Sequence, residues 1–395
     1  MATTQATAGP SGHRRNKTID TIASVADPRR SSVIIPTKAE LRHLSKAPSR
    51  WYLRMQALWW RVLMSWGMFF HRLPSPRPPH PSFSRVVSST VSPTPGTFKL
   101  QFYTPANYTM REPDRRFPVV VNFHGGGFTI GTATDDARFA HRIINDVPAV
   151  FVSVEYRLAP EYPFPTAVED GVDAILYLVD HADELGIDPM NIALTGFSAG
   201  GNLAFTVPLK LHDRTLISRH SVDLGAVNSG SQGWDIKAIV AWYPATDCTK
   251  TRAQRRAANP RPDKHVPSYL TDLFDFSYLP SVTDQRALSD PYLSPGVAPD
   301  AILKHLPADI SIYACEWDML LGEAQRFSHR LRDDAGKNVK FNVIEGVHHA
   351  WDKSPNPFSL HPATMGRYKL ACEDLKKAFE GVEWVSDIED FKESV

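Results

Sequence analysis

Asn191-Ile192-Ala193-Leu194-Thr195-Gly196-Phe197-Ser198-Ala199-Gly200-Gly201 decides how this 395-residue chain reads. An apolar, β-branched run ends in G-x-S-x-G and passes directly into a helical pattern. A strand that turns so sharply into a helix crowds the backbone on both sides of the serine, and glycine tolerates that crowding. Such an elbow lifts a hydroxyl clear of the sheet edge. A second glycine run precedes it, His124-Gly125-Gly126-Gly127-Phe128, at the end of Pro118-Val119-Val120-Val121-Asn122-Phe123. Its bare backbone lets N–H groups come close to a carbonyl oxygen. A lone G-x-S-x-G is a weak signal. The two runs in this order, each behind its own strand, argue against two incidental glycine turns.

Working outward, strand patterns recur at 97–103, 118–124, 149–155, 191–196, 237–243, 309–315 and 339–345. Helical patterns cover 135–146, 165–182, 199–212, 322–335 and 364–380. This alternation predicts an α/β fold with a mostly parallel sheet covered on both faces. Residues 249–300 interrupt it with Pro, Asp and aromatic residues, too long for a simple loop, and read as a cap insertion. The expected organisation is a basic, disordered extension over 1–45, an amphipathic Trp-rich helix and Pro-rich linker over 46–95, and a catalytic domain over 96–395.

Composition narrows the function classes. Hydrophobic content of 42% and charged content of 22% are those of a globular protein. Residues 1–90 hold 14 Lys+Arg against 3 Asp+Glu, whereas residues 91–395 hold 30 against 40. Basic character is therefore confined to the first quarter, and a nucleic-acid partner is not expected. Cys248, Cys315 and Cys372 have no metal or disulfide spacing. The absence of a signal-peptide pattern leads us to expect a cytoplasmic location.

Residues 50–72 contain four of the nine tryptophans. On a helix, Arg50, Arg54, Arg61, Ser65 and Arg72 fall in one stripe about 60° wide, with apolar residues over most of the remaining surface. The longest apolar run, Val62–Phe70 with Ser65 inside it, is far short of the ~20 residues of a membrane span. Two readings stay open: a helix packed over the cleft as part of a cap, or a peripheral membrane helix whose arginines snorkel.

A serine hydroxyl needs a base, commonly a histidine oriented by a carboxylate. In the elbow arrangement the chain order is Ser, acid, His. Asp309–Cys315 ends in Glu316-Trp317-Asp318, and Val339–Ile344 ends in Glu345-Gly346-Val347-His348-His349. The candidates are Ser198 as nucleophile, Asp318 as acid with Glu316 as rival, and His349 as base with His348 as rival. Gly125, Gly126, Gly127 and Ala199 are the candidate oxyanion-hole residues.

These segments resemble the hormone-sensitive-lipase family of α/β-hydrolase-fold serine esterases, over roughly residues 97–380. His124–Phe128 is similar to the family's oxyanion motif, and Tyr156–Glu161 and Phe164–Asp170 to its following segments. Asp290-Pro291-Tyr292-Leu293-Ser294-Pro295 resembles its return from cap to core. Asp318 and His349 align with the family's acid and base. Phe197 stands where Asp is more usual before the nucleophile. Met319 and Gly322 depart from the pattern after the acid, and Ala350-Trp351 from that after the base. The resemblance implies an α/β-hydrolase fold with an α-helical cap, a small-molecule ester substrate, and cleavage through an acyl-enzyme without cofactor or metal. Deacetylase, lactonase and arylformamidase-like amidase activities use the same groups. A membrane-tethered lipid hydrolase and a non-catalytic small-ligand receptor are the more distant readings. Oligomeric state is not legible.

Overall fold

The computed structural model describes residues 48–110, 115–221, 233–279 and 284–382. The extension expected over 1–45 lies outside them. The chain enters through helix α1 (Arg50–His71), capped at its start by the Ser49 side chain. Eight strands follow: β1 (Phe83–Ser88), β2 (Thr97–Tyr103), β3 (Phe117–Phe123), β4 (Val150–Glu155), β5 (Ile187–Phe197), β6 (Ile236–Trp242), β7 (Asp309–Trp317) and β8 (Asn338–His348). They form one sheet in the order β1-β2-β4-β3-β5-β6-β7-β8. From β4 to β8 every pairing is parallel, and β1 and β2 add an antiparallel edge.

The alternation along the buried strands explains the layers. Val119, Val121 and Phe123 point to one face and meet α3 (Thr166–Asp180) and α4 (Ala199–Ser221). Val120 points to the other, where α2 (Ala137–Asp146) and α8 (Ala363–Glu380) contribute Phe139, Tyr368 and Leu375. β-branched residues suit a pleated surface buried on both sides. Each of the seven strands expected from sequence is present. β1 is an addition, lying inside the stretch 74–95 that reads as a linker. Its alternate residues Ser84, Val86 and Ser88 are exposed, and it is held by register with β2, Phe83 opposite Phe102 and Ser88 opposite Thr97.

Between β6 and β7 lie the short helix α5 (Arg252–Ala257) and α6 (Ser268–Tyr278). α1 packs against α6, and Trp60 stacks on Tyr269 at 5.2 Å. After β7 comes α7 (Leu321–His329), which runs on into a wider turn at Arg330–Asp334.

The end of α1 is titratable. His71 is buried, with Nδ1 3.2 Å from the Ser354 carbonyl. Burial, and then the nearby Lys353 charge, lower its pKa from the ordinary 6.5 to about 4. The unfolded chain therefore takes up a proton below pH 6.5 that the native state refuses until about pH 4, so stability is lost as pH falls through that window. The expected loss between pH 7 and pH 5 is about 2 kcal/mol from this group. Urea midpoints at the two pH values check it: His71→Gln should show a shallower pH dependence than the wild type.

Candidate active site

Ser198 follows β5 with φ +54°, a left-handed conformation that presents its side chain at the sheet edge. The elbow has no room for larger flanking residues. A Cβ on Gly196 would lie 2.1 Å from the Gly200 carbonyl oxygen, and one on Gly200 1.9 Å from that of Phe123. The turn is tied to the sheet by the Ser198 N–H, which donates to the Trp242 carbonyl at 2.9 Å.

Ser198 Oγ lies 2.8 Å from His349 Nε2, and His349 Nδ1 lies 2.6 Å from Asp318 Oδ2. Asp318 is buried, and its other oxygen accepts the Leu320 N–H at 3.0 Å. The ring of Tyr243 meets His349 edge-on at 4.9 Å. Three segments far apart in sequence thus converge at the C-terminal ends of β5, β7 and β8, the edge where open α/β sheets hold their sites.

The rival residues have other partners. Glu316 Oε2 accepts the Gly346 N–H at 2.6 Å, so this carboxylate holds the loop that leads to His349. His348 is exposed, with Nδ1 2.8 Å from the carbonyl oxygen of its neighbour. Cys315 is buried beside the acid, and burial pushes its thiol well above the ordinary range, which leaves a packing role.

Gly125, Gly126, Gly127 and Ala199 line the same pocket as Ser198 and His349. Gly126 has φ +113°, and a Cβ there would lie 2.2 Å from the Ile130 carbonyl oxygen. The loop folds through bonds from Thr129 and Ile130 N–H to the Gly126 carbonyl. His124 is buried and stacks on Tyr156 at 4.3 Å. The Tyr156 hydroxyl donates to the His124 carbonyl at 2.8 Å, and the Ala159 N–H to the Phe128 carbonyl at 2.8 Å. Tyr156–Ala159 is in turn held by Arg157, whose Nη2 lies 2.7 Å from buried Asp170. The Tyr156–Glu161 and Phe164–Asp170 segments thus support the glycine loop.

Two further features were not readable from local pattern. Glu323, buried in α7, pairs with Arg255 of α5 at 3.0 Å and accepts the Thr246 N–H at 2.8 Å, joining the acid loop to the segment after β6. Phe197 stacks on Trp242 at 5.5 Å, with the Lys353 ammonium 3.8 Å from its ring centroid. Lys353 also lies 2.8 Å from Asp136 and 3.0 Å from Asp352. Although burial opposes its charge, the two carboxylates hold its pKa well up. The aromatic residue before Ser198 is therefore the roof of a buried ion cluster.

The pocket has a cavity volume of about 230 Å³ and is walled mainly by apolar side chains. Met64 comes from α1, and Leu270 and Phe274 from α6. The Phe274 ring lies against the glycine loop, 2.2 Å from where a Cβ on Gly127 would stand. Among the described residues, no group of three or more His, Cys, Asp or Glu side chains could hold a metal ion.

A nucleophile elbow at the edge of an eight-stranded α/β sheet defines a hydrolase-type site. A family model of the alpha/beta hydrolase fold matches residues 120–353, and the chain belongs to that family. An arylesterase of Saccharolobus solfataricus is 30% identical over 233 residues, 58% of this chain and 67% of that protein. An AB hydrolase superfamily protein of Schizosaccharomyces pombe is 32% identical over 270 residues, 67% of this chain and 70% of that one. The solved esterase of Pyrobaculum calidifontis superposes with a TM-score of 0.63 at 26% identity, covering 88% of this chain and 100% of that one.

Proposed function

We propose that this protein is a carboxylic-ester hydrolase that works through an acyl-enzyme on Ser198. The observation that carries the reading is the hydrogen-bond chain from Ser198 Oγ through His349 to buried Asp318, opening into an apolar pocket beside the glycine loop. Relatives and structural neighbours named esterases support the same reaction class.

In this reading His349 Nε2 takes the proton as Ser198 Oγ attacks the ester carbonyl. Asp318 holds Nδ1–H, fixes the tautomer and stabilises the imidazolium. The N–H groups of Gly126, Gly127 and Ala199 receive the oxyanion, while Gly125 lets the loop approach the elbow. Donors fixed before reaction need no reorganisation as charge develops. The alcohol leaves with the proton from His349, and water repeats the sequence on the acyl-enzyme.

The apolar walls favour an uncharged acyl group. The cavity is smaller than the roughly 300–1,000 Å³ of sites for drug-sized ligands, so short acyl chains are expected to react best. A series of p-nitrophenyl esters of increasing chain length, with the matching p-nitroanilides, tests this. Ester turnover should peak at short chains and exceed anilide turnover. Phe274→Ala should move the optimum to longer chains by removing the ring over Gly127. Absence of ester turnover would overturn the reaction class, and faster anilide turnover would make the protein an amidase. An unmoved optimum in Phe274→Ala would remove that ring from the acyl site.

A further inference from the structure

Three of the four arginines in the α1 stripe are held inward, and Arg54 stays exposed. Arg61 donates to the Thr129 and Ala159 carbonyls, both at 2.9 Å, and pairs with Glu161 at 2.8 Å. Arg50 reaches the Pro160 carbonyl at 2.6 Å, and Arg72 the Thr134 hydroxyl at 2.7 Å. Leu53, Ala57, Met68 and His71 are buried beside them. Cations expected to reach for solvent instead clamp the helix to the loops around the glycine run.

The consequence lies on the opposite face. Ten large apolar side chains between Trp51 and Phe70 are 37–70% exposed, with Trp51 at 70%, Trp59 at 61%, Trp66 at 62% and Phe69 at 55%. At 100° per residue they fill an arc of about 140°. From Trp51 to Phe70 along the helix this is a strip about 30 Å long. A contiguous apolar surface of that extent, rich in aromatic rings, marks an interaction site.

Charge identifies the occupant. Residues 41–110 contain no Asp or Glu, so no acidic residue of this stretch offsets the cations that remain exposed beside this face. Arg54, one helical turn before Leu58, and Arg77, which lines a pocket with Phe69, are exposed at its border. A second copy docking through this face would oppose cations with cations. An anionic lipid surface satisfies both features, because cations sit over its headgroups and tryptophan prefers its water–hydrocarbon boundary. We propose that the outward face of α1 docks on anionic membranes, with the helix lying in the interface plane. No helix among the described residues is long and apolar enough to cross the bilayer, so docking is peripheral. Met64, on the inner side of the same helix, lines the active-site pocket. Docking stands independently of the hydrolase reading; delivery of ester from the membrane to Ser198 rests on it.

Sedimentation of the full chain with phosphatidylcholine vesicles, with and without phosphatidylserine, tests the proposal. Binding should need phosphatidylserine and weaken as salt rises. The exposed pair Trp59→Ser/Trp66→Ser should lower binding at least about tenfold while hydrolysing a soluble short-chain ester within about twofold of wild type. Failure to bind any vesicle would overturn the proposal, as would unchanged binding by the double variant. A concentration-dependent dimer that the double variant abolishes, without vesicle binding, would make the face a self-interface and overturn it equally. Soluble-ester turnover by the wild type is read separately, so loss of the docking idea and loss of the hydrolase reading are distinguishable.

Discussion

Ser198→Ala is expected to lower ester hydrolysis by more than about 10⁴-fold, in line with removal of a nucleophile from a cooperating group of catalytic residues. The fold should survive. The backbone N–H of residue 198 keeps its bond to the Trp242 carbonyl, and the side chain loses one hydrogen bond, to His349. Alanine takes the same left-handed φ as serine without added bulk, so the thermal midpoint should stay within a few degrees. Turnover, melting and labelling by a fluorophosphonate probe check the three parts together. The variant should be folded, inactive and unlabelled. Activity above about a hundredth of wild type would remove Ser198 from the nucleophile role.

The parts that were legible are those in which local pattern and tertiary role coincide. Pro118–Phe123 and Asn191–Thr195 read as buried strands because the sheet buries both their faces, and β-branched residues satisfy that wherever the strand lies. Gly196 was legible for the same reason, since the crowding it relieves comes from Gly200 a few residues on, whereas Gly200 is crowded by Phe123 and His124 at the end of β3 and was legible only through the G-x-S-x-G pattern. β1 was missed because Phe83–Ser88 is an edge strand with exposed alternate residues, and its partner lies beyond a proline-containing stretch. The stripe on α1 was found, but its direction was not. Its arginines bind backbone carbonyls at Thr129, Ala159 and Pro160, and a carbonyl leaves no trace in residue identity. Arginine's fork of donors suits it to such acceptors, so a basic stripe on an apolar helix can be its attachment rather than its wet side. Glu323 escaped for a related reason: Arg255 and the Thr246 N–H meet it only once the cap segment has folded back.

The choice between the adjacent histidines and the neighbouring acids yields the second large effect. His349→Ala should lose about as much activity as Ser198→Ala, because the two residues act as one unit and such losses do not add. His348→Ala should stay within about tenfold of wild type: the ring is exposed, and its contact is to the carbonyl of its neighbour. For the acids, Asp318→Asn should cost about 10³–10⁴-fold in kcat with little change in stability. An amide can face His349 Nδ1 with its N–H₂ group, which favours the wrong tautomer and leaves the imidazolium unsupported. Glu316→Gln should be mild, since an amide oxygen still accepts the Gly346 N–H, whereas Glu316→Ala releases that loop and should lower activity through misplacement of His349. Steady-state kinetics on one soluble ester, with each variant's melting curve, separates these cases. If His348→Ala or Glu316→Gln proved the more damaging of its pair, the base or the acid would move to that residue. If the double variant His349→Ala/Ser198→Ala were far worse than either single one, the two would not belong to one catalytic unit.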